Sequence, residues 1–407
     1  MSEQIEKTVD EVQAKVLHEI QAIAGEQLIA IDEALGRVLA LDIVSPINVP
    51  AYNNSAMDGF AICGDDYERG LRRFTLIGKA LAGQPSGLNP GQGEAVRVTT
   101  GAVMPDRCDM VIVQEISQII EGQLILPDGQ ERGQNRRLMG EDLKLGEAAL
   151  TKGRILTPSD LGLVASLGIA NILVKPRVKV AFFSTGDEVR SLGEPLGPGQ
   201  IYDSNRFTLR GMLTRLGCEL IDLGVIKDAP EDLELAMRDA AQRANVIISS
   251  GGVSVGEADY TKTVMAKLGE VEFWRIAMRP GRPMAFGTLL GKPYFGLPGN
   301  PVAVMVTFYF FARQPLLKLS GAIVPDLPLF KVRLKTPIRK RPGRVEYQRG
   351  RLGVTDQGAL EVSLTGQQGS GVLSSMSEAN CFIVMAHDEG SANAGDWVSC
   401  LPFDGLI

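Results

Sequence analysis

Glycines, hydroxyls and carboxylates gather where an apolar run ends, in the segment NVIISSGGVSVGEADYTK. An apolar strand enters a glycine loop here, and Asp259 stands where an N-cap would begin the next helix. Open α/β sheets bind ligands at the carboxyl ends of their strands, and a glycine loop there lets backbone N–H groups approach an anion. A tight turn alone would explain Gly251 and Gly252 but not the polar residues around them. Those residues are Ser249, Ser250, Ser254, Glu257 and Asp259.

The glycine loop also has the spacing of a phosphate-binding P-loop, because Gly251 and Gly256 match the glycines of GxxxxG. Glu257 and Ala258, however, stand where a P-loop has Lys and Ser or Thr. The sequence therefore argues against a nucleoside triphosphatase of that type.

The segment FFSTGDE places a second polar loop after an earlier predicted strand. Its members are Ser184, Thr185, Gly186, Asp187 and Glu188. Asp203 in GQIYDSN and Asp228 in VIKDAP flank two further strand ends. Carboxylates with hydroxyls between them at one rim suit Mg²⁺ and a polar ligand. Each aspartate could also cap a helix, and Asp259 could do both.

A third polar loop, GLPGNP, contains Pro298, Gly299 and Asn300. Asn300 as N-cap and Pro301 as first helical residue predict a helix start for purely structural reasons. We expect that helix N-terminus to face the same crevice, because its neighbours are also polar loops.

Arginines beside Pro-Gly turns are candidates for binding an oxyanion. Arg279 and Arg282 flank such a turn in AMRPGRP, and RKRPGRVEYQRG holds a second basic run. A charge run is usually a solvated face, but guanidinium groups on an acidic protein pair well with oxyanions. From the C-terminal region, Arg344 or Arg349, together with Ser370 or Ser374 in the loop GQQGSGVLSS, could close this pocket.

The composition is that of an acidic globular protein. A chain of 407 residues with 44% hydrophobic and 22% charged residues predicts several folded domains. The net charge of −6 argues against general nucleic-acid binding. The cysteines lie far apart without CxxC and the two histidines are isolated, so neither predicts a metal site. Residues 1–25 match no targeting peptide and Val302–Ala312 is too short to span a bilayer, so we expect a cytoplasmic protein without membrane association.

The N-terminal part of the chain predicts a mixed domain interrupted by a β-rich one. Residues 8–22 have helical spacing behind a capping box, and a second short helix should follow Asp32. Between 51 and 139, short apolar runs are broken by Gly, Pro and Asp, as in a small β domain. After this region, a predicted helix at Pro158–Leu167 marks the return of the mixed pattern of helices and strands.

The rest of the chain predicts an α/β domain followed by a β domain. From Arg177, strand-like runs alternate with helical segments, which implies a mainly parallel sheet covered on both faces. After Pro328, strand-like runs predict a small β barrel or sandwich. The predicted multidomain α/β plus β chain thus comprises 1–50 with 140–176, the inserted 51–139, the doubly wound 177–327, and 328–407.

Together these segments resemble the molybdopterin molybdenumtransferase family, the MoeA proteins and gephyrin E domains. The resemblance covers nearly the whole chain, through VSPINVPAYNNSAMDGFAI, VTTGAVMP, RRLMGEDL, STGDE, GQIYDSN, SSGGVSVGEADYTK, AMRPGRPMAFG, GLPGNPV and PGRVEYQRG. It implies that adenylylated molybdopterin and molybdate give molybdenum cofactor and AMP, assisted by Mg²⁺. It also implies an elongated mixed domain, a C-terminal barrel, and a homodimer whose site lies between the α/β domain of one subunit and the inserted domain of the other.

The resemblance assigns roles to particular residues. The family's functional positions fall on Asp58, Thr100, Asp142, Glu188, Asp228 and Asp259. Of these, Glu188, Asp228 and Asp259 are the expected metal ligands. Arg275, Arg279 and Arg282 stand where relatives often have lysine, so the charge is kept and the shape is not. By composition alone, NNSAMDG and VTTG would be ordinary turns. The molybdopterin adenylyltransferase and acceptor molybdoenzymes are the implied protein partners.

Two alternatives compete with molybdate insertion. A molybdopterin adenylyltransferase shares the α/β domain, but it is usually one short domain whose loop reads GGTG, whereas this chain has GGVS. A scaffold that keeps the fold and has lost catalysis is the other alternative, since part of gephyrin's role is structural. The complete set of acidic residues argues against it.

Overall fold

The computed structural model describes residues 6–253, 260–324 and 326–403. Its first elements are α1 (Val9–Glu19), β1 (Gln27–Ala30) and β2 (Ile43–Val44). The predicted capping box of α1 is present: the Thr8 hydroxyl accepts from the Glu11 N–H at 3.2 Å, and the Glu11 carboxylate accepts from the Thr8 N–H at 2.8 Å. The second predicted helix is wrong in form and position. It is a 3-10 turn at Ile31–Glu33, after which the chain reverses at Gly36, whose φ is 70°.

Residues 51–139 form a small domain with a separate two-stranded sheet and a six-stranded sheet that buries both of its faces. Its elements are β3 (Asn54–Ser55), β4 (Gly59–Ile62), α2 (Gly64–Glu68), β5 (Arg73–Ala80), β6 (Glu94–Val98), β7 (Met110–Val113), β8 (Gln118–Ile120), β9 (Gln123–Ile125) and β10 (Arg136–Arg137). The six-stranded order is β7-β4-β6-β5-β9-β8. Alternate residues of β4 enter different cores, because Phe60 and Ile62 lie in one cluster and Ala61 in the other.

The segments on either side of this sheet pack against each other. The second segment contains β11 (Ala148–Leu150), α3 (Pro158–Ser166) and β12 (Asn171–Val174). β12 pairs with β1, and β11 pairs with β2, both antiparallel. Leu39, Ile43, Leu150 and Val164 share one hydrophobic cluster, so the two segments form a single unit that brackets residues 51–139.

The α/β region is a doubly wound sheet, as predicted. Its elements are β13 (Lys179–Thr185), β14 (Val189–Arg190), β15 (Ile201–Tyr202), α4 (Ser204–Arg215), β16 (Glu219–Ile226), α5 (Pro230–Arg243), β17 (Val246–Ser250), α6 (Tyr260–Leu268), β18 (Gly269–Arg275), β19 (Met278–Arg279), β20 (Pro283–Leu289), β21 (Lys292–Leu297), α7 (Pro301–Thr307) and α8 (Arg313–Leu319). The sheet order is β16-β13-β17-β21-β20-β18. β16, β13, β17 and β21 are parallel, and separate hydrophobic clusters cover the two faces.

Two antiparallel strands at the edge of this sheet modify the prediction. β20 follows AMRPGRP and pairs with both β18 and β21. The sequence pattern does not predict β20, because PMAFGTL begins with proline and carries a glycine, both of which are unfavourable in strands. The β20–β21 hairpin brings the arginine turn close to the parallel strands.

The C-terminal region is a closed barrel, which decides between the barrel and the sandwich. Its elements are β22 (Phe330–Leu334), β23 (Val345–Val354), β24 (Leu360–Leu364), α9 (Leu373–Glu378), β25 (Cys381–Met385) and β26 (Trp397–Pro402). The order β23-β24-β22-β26-β25 closes through a β23–β25 pairing. The short helix α9 was not predicted. The parallel pairing of β19 with β23 fixes the barrel beside the arginine turn.

Helix α1 packs with the α/β sheet rather than with the segment that follows it. Val9, Val12 and Val16 share a cluster with residues of β13, α7 and the C-terminal barrel. The domain boundaries given above therefore stay a prediction, and the packing assigns α1 to the α/β core.

One stretch of the described chain, Pro301–Leu319, is long and apolar enough to cross a membrane by length and composition alone. Of its most apolar window, 83% is buried within the protein, which is the pattern of a core helix. Its middle turn, Phe308–Ala312, is π-helical.

Candidate functional site

The predicted polar loops meet in one crevice at the carboxyl ends of the parallel strands. It has a volume of about 1050 Å³. β16 and β17 lie on opposite sides of β13, so the strand order changes direction there, and such switch points are where α/β sheets bind ligands. The predicted residues that line it are Ser184, Thr185, Gly186, Glu188, Asp228, Ser250, Gly251, Gly252, Arg279, Arg282, Pro298, Gly299, Asn300, Arg344 and Ser370.

The glycine loop after β17 requires its glycines for backbone reasons. Gly251 has φ of 94°, and a Cβ there would lie 2.5 Å from the Thr185 carbonyl oxygen. Gly252 has φ of 69°, and its Cβ would approach the Thr185 and Thr261 hydroxyls. The loop after β17 therefore lies directly against the end of β13, and only glycine permits that approach.

We expect Gly251→Ala to destabilise the protein by at least about 2 kcal/mol, because left-handed strain and a backbone clash add together. Gly299→Ala is the matched control, since its Cβ would have no atom within 4 Å. That substitution should change the free energy of unfolding by about 0.5 kcal/mol or less. Urea denaturation of both variants measures the difference, and equal stabilities would contradict the assigned loop strain.

Several predicted hydroxyls hold the loops together and do not point to a ligand. The Ser184 hydroxyl donates to buried Asp203 at 2.9 Å, and Asp203 also accepts from the Arg206 N–H. The Ser250 hydroxyl donates to the Pro298 carbonyl at 3.2 Å. These two serines therefore position strand ends.

Asn205 is a site residue that the sequence analysis missed, although the motif GQIYDSN contains it. Its amide donates to the Ser250 hydroxyl at 2.9 Å and to the Gly299 carbonyl at 2.7 Å. It thereby ties the start of α4 to two of the crevice loops. The signal available in the sequence was an amide two residues after an N-cap aspartate.

Some buried polar atoms of crevice residues have no hydrogen-bond partner within the described part of the chain. They are Thr185 Oγ1, Asn205 Oδ1, Asp228 Oδ1 and Arg282 Nε. Buried polar atoms are nearly always satisfied in folded proteins, so four such atoms around one crevice indicate the place of a polar ligand.

Asp228 is the electrostatically perturbed acid of the crevice. Burial raises its pKa, and the charges of Asp187 and Glu188 raise that pKa further. Asp187 does not line the crevice but acts on it through this repulsion. A bound cation would offset the accumulated negative charge.

The arginines occupy the opposite wall, where β19 pairs with β23. Arg279 lies 3.8 Å from the buried Glu346 carboxylate. Arg282 forms an ion pair with Glu6, whose carboxylate also lies 3.9 Å from Arg344. A carboxylate between two guanidinium groups occupies the kind of position that an oxyanion would take.

Of the two predicted pairs of alternatives, Arg344 and Ser370 line the crevice, whereas Arg349 and Ser374 do not. The Arg349 side chain is buried, and its guanidinium donates to the Gly369 carbonyl at 2.9 Å and the Ser375 hydroxyl at 3.0 Å. Burial lowers its pKa to about 10, with a further contribution from the Arg279 charge. Arg349 therefore shapes the loop that carries Ser370, and the Ser370 carbonyl accepts from the Val302 N–H at 3.0 Å.

Asp58 and Thr100 meet in the inserted sheet domain, as a separate polar spot. The Asp58 carboxylate accepts from the Thr100 N–H at 2.7 Å and from its hydroxyl at 2.9 Å. The hydrogen bond from the Thr100 backbone N–H has the largest effect in lowering the pKa of Asp58, and the bond from the Thr100 hydroxyl lowers it further. Asp142 is exposed, and its N–H donates to the Val49 carbonyl at 3.0 Å. None of the described residues in 51–139 lines the strand-end crevice.

The predicted metal set is only partly described. Glu188 and Asp228 lie at the crevice, whereas Asp259 and Ser254 lie outside the described residues. Within residues 6–253, 260–324 and 326–403, no three His, Cys, Asp or Glu side chains are arranged as metal ligands.

Fold and site together define a doubly wound α/β ligand-binding protein with carboxylates on one wall of its crevice and guanidinium groups on the other. Three family models match the chain: the MoeA N-terminal region (domain I and II) over 7–168, a probable molybdopterin binding domain over 181–318, and the MoeA C-terminal region (domain IV) over 331–403. The chain belongs to the MoeA family.

Relatives of known name match over nearly their whole length. A molybdopterin molybdenumtransferase of Haemophilus influenzae is 42% identical over 402 residues, which are 98% of this chain and 99% of that protein. A molybdopterin molybdenumtransferase of Nostoc is 34% identical, and the match covers 89% of this chain and 85% of that protein. A crystal structure of the MoeA protein of Pyrococcus horikoshii has a TM-score of 0.84 at 27% identity, covering 98% of this chain and all of that one.

Proposed function

We propose that this protein inserts molybdate into the dithiolene of adenylylated molybdopterin and releases AMP and molybdenum cofactor. The observation that carries the proposal is the crevice itself, where the raised-pKa Asp228 faces one side and Arg279, Arg282 and Arg344 face the other. Such a crevice suits a substrate that carries both a pyrophosphate, which needs cation-assisted cleavage, and an adjacent oxyanion.

The named relatives favour this transferase over the alternatives. A molybdopterin adenylyltransferase would need only the α/β domain, whereas relatives named molybdopterin molybdenumtransferase match this chain from end to end. A non-catalytic scaffold would have no need for buried polar atoms in the crevice that have no partner within the described part of the chain. Purified protein given adenylylated molybdopterin should release AMP only after molybdate is added, and AMP release without molybdate would contradict the proposal.

Mg²⁺ is the cofactor that the acidic wall fits. Asp228 Oδ1 has no partner among the described residues, and the nearby Glu188 adds negative charge, so these two side chains would hold the ion. Asp259 is the proposed third ligand from the loop after β17. When bound, Mg²⁺ would neutralise charge that develops on the phosphate oxygens.

The chain's own residues orient the reaction in three ways. Gly251 and Gly252 line the crevice and, without side chains, leave room for a ligand beside the loop, while Asn205 fixes the loops around it. Asp228 directs the attacking water or the cation at the phosphate. The guanidinium groups hold molybdate near the dithiolene sulfurs.

We expect Arg279→Ala or Arg282→Ala to raise the molybdate requirement by about ten- to hundredfold, because each charge-assisted hydrogen bond contributes about 1.5–3 kcal/mol. Binding of adenylylated molybdopterin should change little, and high molybdate should partly rescue turnover. Arg351→Ala removes an equal charge from an exposed barrel position and serves as the control. Should the variants lose the pterin ligand and keep normal molybdate dependence, these arginines bind its phosphate.

We also propose a homodimer in the cytoplasm, with Asp58, Thr100 and Asp142 completing the crevice of the partner subunit. The surface beside Asp58 supports this, since apolar side chains there are 44–65% exposed. They are Tyr52, Met57, Leu138 and Met139. Exposed apolar patches of this kind mark protein interfaces. The proposed protein partners are the molybdopterin adenylyltransferase that supplies the substrate and the molybdoenzymes that accept the product.

A further inference from the structure

A second cavity, of about 300 Å³, lies at the junction between the mixed N-terminal unit and the α/β domain. Its walls come from residues 36–38 and 175–178 on one side and from α4 and the helix 301–319 on the other. It has no lining residue in common with the strand-end crevice. Domain junctions are preferred places for small-molecule sites, and this volume is at the lower end of their range.

The charged residues that line this junction cavity are all basic. They are Arg37, Lys175, Arg177, Arg215 and Arg313. None of the described lining residues is Asp or Glu. Several of these cations have neutral partners: Arg37 donates to the Lys175 carbonyl at 2.9 Å, and Arg177 donates to the Gly217 carbonyl at 2.8 Å.

Within the described residues, acidic side chains outside the cavity act on two of these cations, Lys175 and Arg37. Lys175 lies 3.9 Å from the Glu26 carboxylate. Burial lowers the pKa of Arg37, the neighbouring charge of Arg177 lowers it further, and Glu33 opposes both effects. Positive charge therefore accumulates at the junction, and a bound anion would neutralise it.

Tyr309 adds a buried hydrogen-bond donor to the same cavity. It belongs to the π-helical turn Phe308–Ala312, it is 2% exposed, and its hydroxyl has no hydrogen-bond partner among the described residues. Burial raises the pKa of this hydroxyl, and the charges of Arg215 and Arg313, which line the same cavity, oppose that rise. π-Helical turns within α-helices occur frequently at functional sites.

Most of the remaining lining is apolar, and the Ser320 hydroxyl is bonded to the Leu317 carbonyl, which limits the ligand that would fit. The apolar lining residues are Val38, Ile155, Val178, Met212, Leu216, Phe308, Leu316 and Leu317. Inorganic anions would leave these side chains without contacts. An anionic group attached to a compact apolar body would use both parts of the lining.

We propose that the junction cavity binds a small amphiphilic anion, with a phosphate or carboxylate group on a compact hydrocarbon or aromatic body. Tyr309 donates a hydrogen bond to the anionic group, and Arg215 pairs with it. Because the walls belong to two structural units, the ligand fixes their relative position and stabilises the folded protein.

The test uses phenyl phosphate and benzoate as probes, with inorganic phosphate and benzyl alcohol as controls. Calorimetry should detect binding of at least one amphiphilic probe, and the same probe should raise the thermal unfolding midpoint. Inorganic phosphate and benzyl alcohol should bind at least about tenfold more weakly, because each lacks one part of the recognised chemistry. The two amphiphilic probes distinguish a phosphate from a carboxylate ligand.

Variants then assign the site. Tyr309→Phe should keep or raise the unfolding midpoint of the free protein, because the hydroxyl has no hydrogen-bond partner among the described residues. It should nevertheless weaken probe binding about tenfold. Arg215→Gln should weaken binding similarly, whereas Arg279→Gln in the strand-end crevice should leave it unchanged. Molybdenum insertion should be normal in the Tyr309 and Arg215 variants. The proposal is overturned if no amphiphilic probe binds, or if binding survives both junction variants and is lost in Arg279→Gln.

Discussion

Asp228→Asn should reduce AMP release by about 10²–10³-fold while adenylylated molybdopterin still binds. The physical reason is that Asp228 has a buried oxygen without a hydrogen-bond partner among the described residues, and that burial and the charges of Asp187 and Glu188 raise its pKa. Its negative charge is therefore costly unless a cation is bound, and the amide keeps its shape without that charge. Rapid-quench measurement of AMP, together with equilibrium binding of the pterin substrate, separates the two effects.

The pH dependence of this variant gives a second, independent readout. The pKa of Asp228 is higher in the folded protein than in the unfolded chain. The ionised carboxylate therefore destabilises the folded protein above this pKa, and the destabilisation is relieved as the pH falls through this pKa. Protonation of Asp228 also competes with Mg²⁺ binding. The wild type should therefore need more Mg²⁺ as the pH falls toward the pKa of Asp228. That pKa lies above the usual aspartate value of about 4. Asp228→Asn should be at least as stable as the wild type at neutral pH and should lack this shift.

Glu231→Gln is the matched control for the loss of a carboxylate. Glu231 lies in the first turn of α5, a short distance along the chain from Asp228, and it is exposed. At every pH, this variant should have the same turnover and the same Mg²⁺ requirement as the wild type. AMP release by the Asp228→Asn variant at the wild-type rate would contradict the role assigned to the acidic wall.

The parts of the site that were predictable depend on contacts between neighbours in the chain. Strand periodicity followed by GG or TGD places polar loops at the carboxyl ends of β13 and β17, and right-handed crossovers bring those ends to one edge. The same local logic predicted the capping box of α1 and the start of α7 at Asn300. Gly251 and Gly252 were recognisable because their backbone angles require glycine.

The roles of individual polar side chains were not predictable, because they depend on partners distant in the sequence. Ser250 has the type of a ligand-binding hydroxyl, yet it bonds Pro298, which lies 48 positions later in the chain. Arg349 has the charge of an oxyanion binder, yet it is buried and donates to loop carbonyls. Only tertiary packing shows which donors are already satisfied and which, like Arg282 Nε, have no partner in the described chain.

The pairing of Asp58 with Thr100 shows what a family resemblance adds to local reasoning. The two residues are 42 positions apart, and composition alone made both segments ordinary turns. The structure joins them by two hydrogen bonds to one carboxylate oxygen. That oxygen belongs to an exposed side chain, so the pair is held in place without being enclosed by its own domain.

Mixing Asp58→Ala chains with Asp228→Ala chains should restore AMP release from two preparations that are each inactive. If the crevice of one subunit is completed by Asp58 of the other, each mixed dimer has one intact site and one doubly altered site. Random exchange makes about half of the dimers mixed, so about a quarter of wild-type activity is expected from two-fold symmetry. AMP release is measured before and after subunit exchange, with dimer formation followed by native mass spectrometry.

The control places both substitutions in one chain and mixes it with wild-type chains. For a site shared between subunits, each of the two sites in a mixed dimer then contains one altered residue, so the mixed dimers are inactive. Only the wild-type dimers contribute activity, which is less than if every mixed dimer were half active. For sites contained within one subunit, the wild-type half of every mixed dimer stays active, and the Asp58→Ala with Asp228→Ala mixture stays inactive. The two mixtures therefore give opposite outcomes for the two arrangements. Because the Thr100 bonds hold Asp58 ionised on the surface, its loss should remove a charge from the partner's crevice without unfolding the inserted domain.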